Sequence, residues 1–170
     1  MSWDQYFINL CYEIAKKSKD PSTKVGCVLV YPDNGICSTG FNGFARGVKE
    51  VGDGDGFKKI VDSECLSHTR AKERWEDRSL KYPLVCHSEF NAVLNAARHG
   101  HITQGCKIYV PWHPCSVCAN AIVQAGVVEV IMDGDFEKDP ELMKRWAKEH
   151  QLAALIFREG GVLVRKHNEK

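Results

Sequence analysis

His87-Ser88-Glu89-Phe90-Asn91-Ala92, followed downstream by Pro114-Cys115-Ser116-Val117-Cys118-Ala119, combines three metal-binding side chains with one carboxylate. Cys115 and Cys118 open a stretch in which Cys118, Ala121, Ile122 and Ala125 recur at helical spacing, so both sulfurs share one face of a helix starting after Pro114. Peptide dipoles at a helix N-terminus stabilise thiolates, the form that binds metal. His87 adds a nitrogen ligand, and three protein ligands leave one position of a tetrahedral zinc site open, as a catalytic site requires. Glu89, two residues past His87, is placed to exchange protons with whatever reacts at that open position. The competing reading is a structural zinc site closed by Cys86 or another histidine. Glu89 weighs against it, because a closed site has no use for a proton shuttle.

Around these motifs the pattern alternates between helix and strand. Trp3, Phe7, Leu10 and Ile14 give an opening amphipathic helix over Trp3 to Lys17, which Asp20-Pro21-Ser22 ends. Val25 to Tyr31 reads as a buried strand and Ile36 to Gly40 as its hairpin partner across Pro32-Asp33-Asn34-Gly35. His87 to Arg98 is the first motif helix, with Phe90, Val93, Leu94 and Ala97 expected on its core face. Cys106 to Pro111 is a strand, Cys115 to Ala125 the second motif helix with Gly126 as its C-cap, and Val127 to Met132 another strand. Glu141 to His150 is expected to be helical, with short strands at Ala153 to Phe157 and Val162 to Arg165. The alternation predicts an α/β fold in which helices cover a sheet and the motif helices open near its strand ends.

Gly43 to about Leu80 is the irregular part, rich in glycine and charge, with Asp53-Gly54-Asp55-Gly56 and a short helix around Ala71 to Trp75. It is too long for an ordinary connection and reads as an insertion at about 43–80, either solvated or ligand-binding. Cys65 and His68 within it are two candidate ligands for a second metal, a weak pair by itself.

At 170 residues and 44% hydrophobic content, the chain has the size of one compact domain, 1–170. Its 23 Lys plus Arg against 22 Asp plus Glu, a formal net charge of +1, argue against a large nucleic-acid surface. Of the eight cysteines two belong to the metal motif, and the others, scattered through apolar segments, read as reduced core thiols. No apolar run reaches the ~18 residues of a membrane span, and no signal peptide opens the chain, so a soluble, cytoplasmic protein is expected.

The His-x-Glu and Pro-Cys-x-x-Cys pair is the recognised signature of zinc deaminases. Together with Asp20-Pro21-Ser22-Thr23-Lys24-Val25-Gly26, Gly40-Phe41-Asn42-Gly43, Lys81-Tyr82-Pro83 and Gln124-Ala125-Gly126, collinear over roughly Trp3 to Asp133, the chain resembles the deoxycytidylate deaminases of the cytidine deaminase superfamily. The resemblance implies a three-layer α/β/α sandwich with a mixed five-stranded sheet, often in a homohexamer. It also implies conversion of dCMP to dUMP with release of ammonia, supplying thymidylate synthesis. Residue by residue, it implies Zn2+ on His87, Cys115 and Cys118, Glu89 as the acid/base, and substrate contacts from Ser22, Lys24, Asn42, Ser88, Pro114 and Phe136. A nucleotide effector site for dCTP with Mg2+ or dTTP is expected around Gly43, Arg46, Lys81 and Tyr82.

Three departures from the family pattern matter. Ser88 stands where the family usually has alanine, Phe136 near a substrate-contacting tyrosine, and Trp112-His113 place bulky groups ahead of Pro114. Because position 88 is expected to act through its backbone, the serine should cost little activity. A deaminase of another cytosine nucleotide or nucleoside, a nucleic-acid editing deaminase, and a noncatalytic zinc module are the alternatives. Substrate preference separates the first two from a dCMP deaminase, and Glu89 separates all of these from the last.

Overall fold

The computed structural model describes residues 1–48, 71–133 and 140–167. Asp53-Gly54-Asp55-Gly56, Cys65, His68 and Phe136 lie outside the described residues.

Helix α1 (Trp3–Ala15) starts where the Ser2 hydroxyl accepts from the Gln5 amide at 3.2 Å, with Asp4 in the first turn facing the positive helix end. Its buried residues Phe7, Ile8, Cys11 and Ala15 recur at helical spacing, and they pack on Val28, Val30, Tyr109 and Ile131 of the sheet. Strand β1 (Gly26–Val30) is buried on both faces, as a continuous apolar run in a central strand should be. It pairs antiparallel with both β2 (Ile36–Phe41) and β5 (Lys107–Val110). The sheet continues in parallel through β6 (Glu129–Met132) and β7 (Leu163–Lys166), giving the order β2-β1-β5-β6-β7. Helices α4 (Ser88–Arg98), α5 (Ser116–Gln124) and α6 (Pro140–Glu159) lie on the face opposite α1, sealing a core of Leu29, Ile108, Ile122, Val130 and Phe157. The result is three layers around a mixed five-stranded sheet.

Two expectations are corrected. Ala153 to Phe157 is not a strand: it continues α6, and Ala153 and Phe157, four apart and almost fully buried, carry the helix onto the core. A five-residue apolar run fits either period, and packing of α6 against α5 decides it. The core face of α4 is also rotated from the expected one. Ser88, Glu89, Ala92 and Ala96 are buried, whereas Leu94 and Ala97 are exposed. The cause is the close approach of α4 to β2, where a Cβ on Gly40 would lie 2.1 Å from the Ser88 carbonyl and 2.4 Å from the Ala92 amide. Only small side chains fit that contact, so Leu94 turns outward while Phe90 and Val93 are half-buried at its flanks.

The irregular segment leaves and returns through a second, two-stranded sheet. Strand β3 (Gly43–Phe44) pairs antiparallel with β4 (Val85–Cys86), which delivers the chain directly to His87. Between them, α2 (Ala71–Glu76) matches the expected short helix, while α3 (Arg78–Leu84) adds a second helix in the segment expected to be irregular. Asp77 caps α3 by accepting from the Ser79 amide at 2.8 Å, and Pro83 falls in the last turn. Phe44 stacks on Trp75 at 4.3 Å between centroids, tying α2 to the small sheet.

Candidate active site

The N-termini of α4 and α5 converge, although their motifs are far apart in sequence. His87 is the N-cap residue of α4 and Cys115 that of α5, and neither spends its side chain on a capping bond. Their ligand atoms are therefore free to turn toward each other. His87 Nδ1 lies 3.4 Å from Cys115 Sγ and 3.6 Å from Cys118 Sγ, and all three ligand atoms fall within 4.8 Å of one another. Tetrahedral zinc with bonds of ~2.0–2.1 Å to nitrogen and ~2.3 Å to sulfur needs a nitrogen–sulfur separation of about 3.5 Å, so the donor set fits that ion in both chemistry and spacing. Among the described residues neither Cys86 nor a further histidine or acid joins the cluster.

The metal-free electrostatics point the same way. The Cys115 thiol is brought down to about 4, chiefly by the bond it accepts from Cys118 and then by His87. The same thiol–thiolate bond, with burial, pushes Cys118 well up, and the Cys115 bond raises His87 to about 9. The hydrogen bonds within the cluster thus favour the thiolate form of Cys115, the form that binds a divalent ion.

Glu89 is 5% exposed and stands beside this cluster in a pocket of about 520 Å³. Its Oε2 accepts a 2.8 Å hydrogen bond from the Ser88 hydroxyl, which is fully buried. Position 88 therefore uses its side chain as well, holding one oxygen of the carboxylate. Aromatic rings form the walls: Trp146 of α6 meets His87 edge to face at 6.4 Å and Tyr82 at 6.1 Å. His113 and His150 lie together at 4.6 Å between centroids.

The opposite wall is the 20–25 loop, held by buried polar groups. Asp20 Oδ1 accepts from the Ser22 and Thr23 amides at 2.8 and 3.0 Å, from the Ser22 hydroxyl at 2.9 Å and from Lys81 Nζ at 2.8 Å. Lys81 Nζ also donates to Ser22 Oγ at 2.7 Å. Burial pushes the Asp20 carboxyl up, but the Lys81 and loop hydrogen bonds outweigh it and hold the group below the usual aspartate range. Asn42 locks the loop from the other side, its Oδ1 accepting from the Val25 amide at 2.8 Å and its Nδ2 donating to the Thr23 carbonyl at 2.9 Å.

Of the residues expected at the site, the structure brings His87, Cys115, Cys118, Glu89, Ser88, Ser22 and Asn42 to one pocket. Pro114 is buried behind it, and Lys24 is exposed outside its lining. The four expected effector residues separate. Gly43 and Arg46 line a second depression of about 400 Å³ with Lys19, Asn91 and Asn95, while Lys81 and Tyr82 belong to the main pocket. Arg46 donates there to Asn95 Oδ1 at 3.1 Å. Trp75, Arg78, Arg145, Trp146 and His150 line the main pocket without having been anticipated. The one local signal was Trp146 and His150 four apart on a predicted helix, which marks a shared face but no chemistry.

A three-ligand metal cradle beside a buried carboxylate, on a mixed sheet covered by helices, defines a zinc-dependent deaminase. Residues 1–133 match the model of the cytidine and deoxycytidylate deaminase zinc-binding region, and the chain belongs to that family. It is 35% identical over 170 residues to the deoxycytidylate deaminase of Mus musculus, covering 100% of this chain and 82% of the relative. It is 34% identical over 166 residues to that of Homo sapiens, covering 98% and 80%. Its fold matches the dCMP deaminase of cyanophage S-TIM5 in complex with dCMP and dUMP at a TM-score of 0.62 and 20% identity, over 95% of this chain and 94% of the other.

Proposed function

We propose that the protein converts dCMP and water to dUMP and ammonia, supplying thymidylate synthesis. The observation that carries this reading is the buried Glu89 carboxylate beside the His87, Cys115 and Cys118 cluster in a pocket of nucleotide size. Zinc held by those three ligands supplies Lewis-acid polarisation and a nucleophile at neutral pH. Glu89 accepts the proton released as the water oxygen bonds to cytosine C4, then delivers it to N3, and a second transfer lets the C4–N bond break with ammonia as leaving group. Ser88 holds Glu89 Oε2, which keeps the carboxylate oriented while Oε1 exchanges protons. In this reading the aromatic walls flank the base, Asn42 contacts the sugar, and the loop of Ser22 to Lys24 lies on the phosphate side.

Sequence resemblance supports a cytoplasmic homohexamer built from a single-domain chain and regulated by dCTP with Mg2+ and by dTTP. The depression lined by Gly43 and Arg46 is the effector surface in this reading. Among the described residues no helix is long and apolar enough to cross a membrane. The test is ammonia release from cytidine, deoxycytidine, CMP, dCMP, dCTP and an RNA hairpin. The reading requires a clear preference for dCMP, and comparable rates with an unphosphorylated nucleoside or the hairpin would overturn it.

A further inference from the structure

Two arginines that belong to none of the sequence motifs line the active-site pocket: Arg78 at the first position of α3 and Arg145 in the second turn of α6. The pocket's lysine is already committed. Lys81 is 9% exposed, and its ammonium lies 2.8 Å from both Asp20 oxygens, so its charge is matched by a buried carboxylate. Both arginines are exposed, and neither forms an ion pair among the described residues. Their guanidinium groups thus stand at the solvent side of the pocket, uncommitted to any described carboxylate, while Glu89 and the two cysteines are buried.

This polarity matches a substrate with a flat neutral ring at one end and a dianion at the other. A phosphate monoester carries nearly two negative charges at neutral pH, and it needs compensation in a pocket that already contains Asp20, Glu76 and Glu89. Asp20 is neutralised internally by Lys81, and Glu76 has an interaction of its own. Guanidinium groups offer paired planar donors that fit phosphate oxygens, and at the exposed mouth they bind without a large desolvation cost. We propose that Arg78 and Arg145 receive the 5′-phosphate and make this pocket select a nucleoside monophosphate over a nucleoside. The inference deepens the deaminase reading and rests on it for the placement of the base.

The test compares zinc-loaded wild type, Arg78→Ala, Arg145→Ala and the double variant. Each single change should lower kcat/KM for dCMP roughly 10- to 100-fold, the range for losing a hydrogen bond to a charged group, mostly through KM. The loss with deoxycytidine should be at least ten times smaller, and Arg→Lys should recover part of the dCMP activity. Calorimetric binding of dUMP needs no turnover and should weaken in the same order. Equal losses with dCMP and deoxycytidine, or unchanged dUMP affinity in the double variant, would overturn the assignment. Absence of ammonia release from every cytosine substrate by the wild type would instead remove the deaminase reading, and dUMP affinity would still decide the fate of the arginines.

Discussion

Lys81→Met removes the positive partner of Asp20 while keeping a long apolar stem, so it isolates the buried ion pair behind the 20–25 loop. Asp20 is 2% exposed, and breaking a buried pair by deleting one partner costs ~3–5 kcal/mol because the other charge is left uncompensated. Four other donors remain on the carboxylate: the Ser22 amide and hydroxyl, the Thr23 amide and Asn42 Nδ2. They place the cost near the lower limit, about 3 kcal/mol, or a fall in Tm of about 6–12 °C for a chain of this size. The pH dependence has a definite sign. A carboxyl held below its unfolded value of about 3.9 contributes stability that is present above that pH and lost as pH falls through the folded value. In Lys81→Met that depression is relieved, so the gap between wild type and variant should be widest at pH 7 and narrow by pH 3. Urea unfolding at both pH values measures it, and Asp20→Asn combined with Lys81→Met should recover at least ~1 kcal/mol because no charge remains buried. A gap below about 1 kcal/mol at pH 7, or one equal at the two pH values, would refute the ion-pair account.

Glu89→Gln keeps shape and leaves Ser88 an amide oxygen to bond, so it should retain zinc and Tm while turnover falls at least ~10²-fold; near-normal turnover would remove Glu89 from proton transfer. Cys115→Ser exchanges a thiolate ligand for a neutral hydroxyl and should lose zinc along with activity, as measured by metal content after gel filtration. Gly40→Ala should destabilise the protein by more than ~1 kcal/mol and displace the start of α4, because the added methyl meets the Ser88 and Ala92 backbone; wild-type Tm and activity would contradict that contact.

The chemistry was legible because it is carried by short local spacings. Cys115 and Cys118 three apart after Pro114, and Glu89 two past His87, set which groups a helix N-terminus presents whatever the rest of the chain does. The α1 stripe was readable from its helical period, and the buried strand around Val28 to Val30 from a short apolar run bounded by the Pro32-Asp33-Asn34-Gly35 turn. Tertiary structure decided what depends on a neighbour. The apolar residues of α4 predicted one face, but the glycine contact with β2 admits only the small one, and Ala153 to Phe157 became helix because α5 offers a surface at helical spacing. Packing alone brought His87 within 3.4 Å of Cys115, moved Lys81 from an expected effector surface to an ion pair with Asp20, and set Arg78 and Arg145 at one pocket mouth. Sequence periodicity specifies which side of an element can be buried, whereas the partner it meets, and so the pocket between elements, is set by long-range packing that no local pattern encodes.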